Sequence, residues 1–474
     1  MDDTPQRDSR GVISTVFQRI AANFLSQPGL PFADVLSAER ITRVFARHNN
    51  LFAIAQVYNT AIVLWSFLGQ VLRDGKEAAC QAAVDRIVTH HRERGLTPPT
   101  DDTGDYCRAR AKLSEPALRD IGREIAAEVE ERADPEWLWK GRNAKLADGF
   151  TFTMPDTPAN EREYPASESQ TPGVGLPIAR AVAVLSLATA CVLDMAVGPY
   201  SGKETGETAL LRDLFDAFDP GDVAVMDRYY CSFLMIAMFS ARGVDICARM
   251  HQKRHVDFRR GRWLGPHDHL VEWTRPARPA WMDRATYDAI PEIITLREVR
   301  IQIAKPGCRT TTITLATTLV DARSYTRDDL AELYSFRWNA ELDLRSIKQS
   351  LNLGHVRCKT PAMVRKELRT TVLAYNLIRT TAAAAALRHR RLPRRIGFTA
   401  TCQQVLANWM TIACETPDGA RSRARCEQLL ERIAESGVGH RPGRVEPRVL
   451  KRRRHRYPLM QQPRALLRAR LAKR

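Results

Sequence analysis

Residues 330–351, LAELYSFRWNAELDLRSIKQSL, carry apolar side chains at helical spacing, and that spacing decides which of the other side chains can meet. At about 100° per residue, Leu333, Phe336, Ala340, Leu344, Ile347 and Leu351 fall within roughly 80° of one another. They form the buried stripe of an amphipathic helix. Thr326, three residues before Asp329, supplies a capping pattern at the start. Tyr334, Arg337, Glu341 and Lys348 are separated by 3, 4 and 7 residues. They share an arc of about 60°, roughly a quarter-turn from the apolar stripe. The pattern predicts one continuous helix with a ledge of four polar heads beside its buried face. Taken alone, the ledge is equally a solvated face braced by Arg337–Glu341 and Glu341–Arg345 pairs.

The chain has 474 residues, enough for two to four domains with sizeable cores. Its net charge of +18 and isoelectric point near 9.7 point to a polyanionic partner. Arginine dominates, with 60 Arg to 12 Lys among the 72 basic residues. The last 35 residues, 440–474, hold 13 Lys and Arg against one Glu, so +12 of the +18 lies there. A solvated tail is the plain reading. Interleaved Tyr457, Leu459 and Leu467 favour docking on nucleic acid.

Ten cysteines are scattered without a Cys-x-x-Cys pair or a zinc-like spacing, as in a reducing cytosolic protein with buried thiols. The N-terminus, MDDTPQRDSR, lacks the form of a signal peptide. Residues 51–72 carry no charge, but Gln56, Asn59, Thr60 and Gln70 interrupt the run. A buried helix in a protein without membrane contact accounts for it better than a span. The sequence thus predicts a cytoplasmic protein.

Residues 1–138 read as a helical N-terminal region, with candidate DNA-reading helices but no helix-turn-helix signature. The pattern then changes. KLADGFTFTM (145–154) alternates as a strand, 178–200 reads as a hairpin, DVAVMDRYY (222–230) as a short buried strand, 231–243 as a helix and VDICARM as a strand. Residues 139–250 therefore form the first part of an α/β domain. Residues 251–322 are richer in aromatic and β-branched residues and read as a β-rich insertion. Residues 323–400 complete the α/β domain with the ledge helix and a helix pair over 360–391. Residues 401–474 form a helical C-terminal region with the basic tail.

Three carboxylates on separate elements can then converge: one on the first strand, Asp227 at the end of the fourth, and Glu341 on the ledge helix. Such a set suits two Mg²⁺ ions, since hard cations take oxygen ligands. Two such ions activate a water or hydroxyl nucleophile and stabilise the leaving oxygen of a phosphodiester. Mn²⁺ is the natural substitute. For the first acid, Asp148, Asp156 and Asp194 compete. Asp156 lies in MPDTP, where a turn makes it a local backbone cap. Asp194 has no motif around it. Asp148 shares the core-facing parity of Leu146 and Phe152, where an acid is costly without compensation. Gly149 beside it leaves room for substrate backbone. Other eye-catching groups carry less. The His251/His255 pair and PHDHL (266–270) lack accompanying acids, and GPYSGKETGE (198–207) has the wrong spacing for a P-loop. Asp343 and Arg345 on the ledge helix read as structural or rim residues.

At this point the chain resembles the DDE transposases of the IS4 group. Tyr334, Arg337, Glu341 and Lys348 match every spacing of their Tyr-x2-Arg-x3-Glu-x6-Lys signature. GDVAVMDRYY resembles their second-acid region. LADGFTFTMPDTPAN resembles the first, with Phe150 where threonine is usual. The resemblance runs over roughly residues 75–460. It implies an α/β, RNase H-like catalytic core with a β-rich insertion before the last catalytic helix, flanked by the helical N- and C-terminal regions. It implies Asp148, Asp227 and Glu341 as catalytic metal ligands, Arg337 and Lys348 on phosphates, and Tyr334 near the cleaved end. Trp338 joins these DNA-binding residues as a candidate for stacking on an extruded base. It also implies DNA partners, the inverted-repeat ends and the target, and a homodimer holding two ends. Three functional readings follow: an active cut-and-paste transposase, a catalytically inactive DNA-binding derivative of one, and a metal-dependent nuclease without strand transfer. For the tail, deletion of 440–474 is expected to weaken binding to all DNA sequences alike. The slope of log K against log salt should become shallower by about 0.9 for each phosphate that the tail would otherwise neutralise. An unchanged slope would show that the tail lies off the DNA.

Overall fold

The computed structural model describes residues 35–53, 56–93, 95–169, 171, 173–303, 311–414, 419–438 and 459–473. Among the described residues, five α-helices precede the sheet: α1 (Ala38–Arg47), α2 (Thr60–Val71), α3 (Cys80–Glu93), α4 (Thr103–Lys112) and α5 (Glu115–Glu131). Side-chain caps start most of them, with Ser37, Asn59, Asp102 and Ser114 accepting from backbone N–H groups in the first turn. The uncharged run at 51–72 yields α2, which packs Val63, Leu64, Phe67 and Leu68 into the main core. Among the described residues no helix is long and apolar enough to cross a membrane. Residues 1–34 of the predicted N-terminal helical region, and 440–458 and 474 of the basic tail, lie outside the described residues.

Among the described residues, nine strands form a single sheet in the order β3-β2-β1-β4-β5-β9-β8-β7-β6. β1 (Ala144–Thr153), β2 (Ile178–Ser186) and β3 (Val192–Pro199) are antiparallel neighbours. β4 (Val223–Met226) and β5 (Asp245–Arg249) run parallel to β1. Short helices α6 (Pro158–Glu163) and α7 (Glu207–Arg212), and then α8 (Phe233–Ala241), fill the connections. β6 (Arg262–Gly265), β7 (Asp268–Thr274), β8 (Ile293–Ile303) and β9 (Thr311–Thr317) are antiparallel to one another. The segment read as an inserted β unit thus continues the main sheet, because β9 pairs with β5. It also holds a short helix, α9 (Arg284–Ala289).

Alternation along the strands divides the interior in two. Leu146, Phe150, Phe152, Val223 and Val225 face the larger cluster, with the N-terminal helices and later helices beneath them. Ala147, Ala224, Met226 and Ile246 face the smaller one, covered by α8 and the α7 region. A long central helix, α12 (Pro361–Arg388), runs through the larger side. Here the expected helix pair over 360–391 is corrected. Nothing between Pro361 and Arg388 breaks the chain, and burial of Ala, Leu and Thr along the whole length holds it straight through.

Residues 330–351 also depart from the single helix expected of them. They form α10 (Arg327–Ser335) and α11 (Trp338–Ser350), not one helix. At the joint Arg337 N–H bonds Tyr334 O (3.0 Å), Asn339 N–H bonds Phe336 O (2.8 Å) and Ala340 N–H bonds Arg337 O (3.0 Å). These three-residue bonds wind the backbone more tightly than an α-helix. The joint therefore resets the angular offset between the two halves of the ledge. The expected capping box at Thr326 and Asp329 is present. Helices α13 (Phe398–Cys414), α14 (Gly419–Glu435) and α15 (Arg464–Ala472) complete the fold.

Candidate catalytic site

The site begins with the register of β1 on β4. Their parallel pairing ends at Ala147 opposite Met226. One residue further on each chain stand Asp148 and Asp227, about one strand spacing of 4.8 Å apart. Asp148 has the parity of Leu146 and Phe150, and Asp227 that of Val225, so both belong to the face of the larger core. Asp148 Oδ1 accepts from the Gly149 N–H at 2.9 Å. Asp227 caps the tight turn that follows β4, its Oδ1 accepting from the Arg228 N–H at 2.6 Å.

Glu341 arrives from the first turn of α11, and three features fix that helix. Gly354 and Leu353 N–H groups bond the Lys348 and Ile347 carbonyls at its end. The chain beyond it then pairs with the end of β1, Thr153 N–H to Gly354 O (3.1 Å) and Val356 N–H to Thr153 O (3.0 Å). On its buried side Asp343 takes hydrogen bonds from Arg379 of α12 and from Arg394, both at 2.8 Å. Asp343 is thus structural, as its sequence position suggested.

Arg337 links the acids. Its Nη2 donates to Glu341 Oε1 at 2.6 Å and its Nη1 lies 3.5 Å from Asp148 Oδ2. The guanidinium is largely enclosed, 17% exposed, and Asp148 is 18% exposed. Lys348 comes back over the same strand, its Nζ 5.9 Å from the centre of the Phe150 ring. Tyr334 is 5% exposed and sits in the core near Asp227 and Arg337, so almost none of its surface is open to a ligand. Burial pushes its phenol well above the ordinary range. Trp338 is 49% exposed at the start of α11. Of the two ion pairs of the plain reading, the described residues form Arg337–Glu341 but not Glu341–Arg345.

The three candidate first acids separate clearly. Asp194 is buried and held by Arg119 in a two-pronged pair at 3.0 and 2.6 Å, so its carboxylate is already committed. Asp156 is exposed, and the local cap expected of it is supplied instead by Thr157, whose side chain accepts from Asn160 N–H. Asp148 alone shares a face and a register row with Asp227.

One further acid escaped the sequence reading. Glu207, in the first turn of α7, packs against Gly149: a Cβ there would stand 2.5 Å from the Glu207 carboxyl carbon. The space beside Gly149 is thus taken by Glu207, which corrects its assignment to substrate backbone. Tyr230 donates its hydroxyl to Glu207 Oε2 at 3.4 Å. No spacing rule ties Glu207 to Asp148, so only the fold reveals it.

The donor chemistry, carboxylate oxygen throughout, fits a hard divalent cation. Burial pushes the Asp148 carboxyl up to about 6 against the pull of Arg337, with Glu341 and Glu207 adding to the rise. A cation between these acids would relieve that repulsion. In this arrangement Arg337 stands there, and among the described residues no three acidic, histidine or cysteine side chains close around one point.

A pH experiment on metal-free protein reads this charge balance. Asp148 has a folded-state value above its ordinary one, so ionising it opposes folding. Its contribution to stability is present below the ordinary value of 3.8 and is lost as pH rises through about 6. Asp148→Asn removes the loss. Its melting temperature in EDTA should gain on the wild type as pH climbs from about 4 to about 7. A constant difference over that window would show that Asp148 titrates normally.

Known proteins share this arrangement of sequence. Residues 139–377 match the family described as the transposase DDE domain. The Escherichia coli (strain K12) transposase InsG for insertion sequence element IS4 is 25% identical over 443 residues, covering 92% of this chain and 94% of that protein. A cryo-EM structure of a piggyBac transposase synaptic complex with hairpin DNA aligns at a TM-score of 0.40 and 9% identity, over 90% of this chain and 86% of that one. The family match spans half of the sequence and takes in Asp148, Asp227 and Glu341 together: this chain belongs to the DDE transposases of the IS4 family.

Proposed function

We propose that this transposase carries out cut-and-paste transposition of an insertion sequence, with Asp148, Asp227 and Glu341 as its catalytic carboxylates. The observation that carries the reading is the meeting of Asp148 and Glu341 at one guanidinium, beside the strand that Asp227 follows. We infer that β1 to β5 and α11 form an RNase H-like core. The order 3-2-1-4-5, antiparallel on one side of β1 and parallel on the other, supports this.

Asp148, Asp227 and Glu341 would hold two Mg²⁺ ions, with Mn²⁺ as substitute. Bound there, such ions supply activation of a water or 3′-hydroxyl and stabilisation of the leaving oxygen. The chain's own residues do the rest. Arg337 can leave Glu341 for a phosphate, because a guanidinium fork fits either oxyanion. Lys348, on the same helix face as Glu341, adds a point charge to the bound backbone. Trp338 offers an exposed aromatic face to a base displaced beside the cut. Tyr334, buried beside Asp227 and Arg337, acts on their surroundings rather than on DNA directly. The partners are the element's inverted-repeat ends and target DNA, two protomers pair two ends, and the site of action is the cytoplasm, on the nucleoid. The ledge of cations around the acids favours this over a nuclease that only hydrolyses, because joining requires DNA ends held in register.

The reading separates two classes of variant. Glu341→Ala should abolish nicking with Mg²⁺ and leave end binding nearly intact. Arg337→Ala or Lys348→Ala should weaken the end complex by about 1.5–3 kcal/mol for each charged hydrogen bond removed. Gel assays of binding, nicking and joined product on one terminal-repeat duplex distinguish the outcomes. Wild-type nicking by Glu341→Ala would exclude Glu341 from catalysis, and nicking without joined product would favour the nuclease.

A further inference from the structure

One row of backbone partners crosses the sheet from the candidate site to its far edge. Met226, which precedes Asp227, pairs with Ala248, Ala248 with Ala316, and Ala316 with Glu298. Glu298 pairs with His269, and His269 with Trp263 on β6. From β4 to β6 the order runs β4-β5-β9-β8-β7-β6. Those strand steps of about 4.8 Å span about 24 Å, the length of about seven base pairs at 3.4 Å each. Trp263 therefore stands level with the acids at a fixed distance along the sheet.

The segment joining these two points is strongly basic. It leaves β5 at the end of the sheet where Asp227 lies, and Arg228 Nη1 tethers it there by donating to Gln252 Oε1 at 2.8 Å. Between His251 and Trp263 it carries Lys253, Arg254, Arg259, Arg260 and Arg262 against Asp257, and all five cations are exposed. Tyr229 at its start is 60% exposed and Trp263 at its end 69%. Arg262 lies on the row of Val225, the face of the carboxylates, whereas Trp263 lies on the row of Met226 and so, at the open edge strand, on the opposite face. A charged edge strand by itself also serves to prevent sheet-to-sheet association. Two exposed aromatics and a tether to the residue after Asp227 are not needed for that.

We propose that residues 251–263, with Tyr229, form a track for duplex DNA, leading from the carboxylates to the β6 edge and touching the backbone out to about seven base pairs from the cut. Arg259, Arg260 and Arg262 bind phosphates there, and where the duplex passes the β6 edge Trp263, turned to the other face of that edge strand, packs on its sugar-phosphate backbone. The inference rests on the transposase reading and names where its DNA lies.

The test uses the full chain and duplexes of the element's own terminal repeat, with the divalent metal omitted so that strands stay intact. Replacing Arg259, Arg260 and Arg262 together by Ala should make the salt slope of binding shallower by about 2.7, three phosphates at about 0.9 each. Trp263→Ala should weaken binding several-fold at an unchanged slope. Shortening one duplex arm below about seven base pairs should weaken wild-type binding, and the triple variant should be insensitive to that shortening. Melting curves confirm that both variants fold. Wild-type affinity, slope and arm-length response in the folded triple variant would overturn the track alone. Failure of the wild type to bind the duplex at all would overturn the transposase reading and the track with it.

Discussion

The parallel pairing of β1 with β4 is the constraint on which the site depends. It brings Asp148 and Asp227, 79 positions apart in the sequence, to adjacent places in one register. A slip of one residue would send Asp148 to the opposite face, among Ala147, Val182 and Met226. The hydrophobic alternation on both sides of β1 prevents that slip, because Leu146, Phe150 and Phe152 belong to one core and Ala147 to the other. The packing that stabilises the sheet is therefore also what aligns the acids.

Glu341 depends on a different kind of restraint. Two carboxylates facing each other repel, and the α11 helix would relax away from β1 without an opposing anchor. Asp343, two residues on, supplies one by its paired arginines from α12 and the following turn. The Thr153–His355 bridge supplies the other. Removing a partner from a buried ion pair costs about 3–5 kcal/mol, so the anchor is firm. Arg337 then balances the remaining charge from within the same helical joint. In the proposed reading, its contact with both acids makes it the point at which a bound phosphate would compete with the carboxylates.

Much of this was legible in the sequence because it rested on periodicity. The strand at 145–154, the hairpin at 178–200, the short strand before Asp227 and the buried stripe through Leu333, Ala340, Leu344 and Ile347 all follow from side-chain alternation. The tight joint at Phe336–Arg337 was not legible, since both residues keep right-handed helical angles and no glycine or proline marks the change. The unbroken α12 was missed because its alanine run lacks a clear polar face to carry the period onward. The continuity of β9 with β5 is a long-range pairing that no local pattern encodes. Glu207 belongs to the same class: its place beside Gly149 is set by how α7 folds back over β1, not by any spacing to Asp148.

The most direct measurement is a change of metal preference at the first acid. A thiolate accepts Mn²⁺ more readily than Mg²⁺, so Asp148→Cys should lose strand cleavage with Mg²⁺ and regain part of it with Mn²⁺. Asp156→Cys, altered on the exposed turn beyond the same strand, should cleave with either ion. Full Mg²⁺ activity in Asp148→Cys, together with the Mn²⁺ rescue appearing in Asp156→Cys, would contradict the assignment of Asp148 and the geometry built on it.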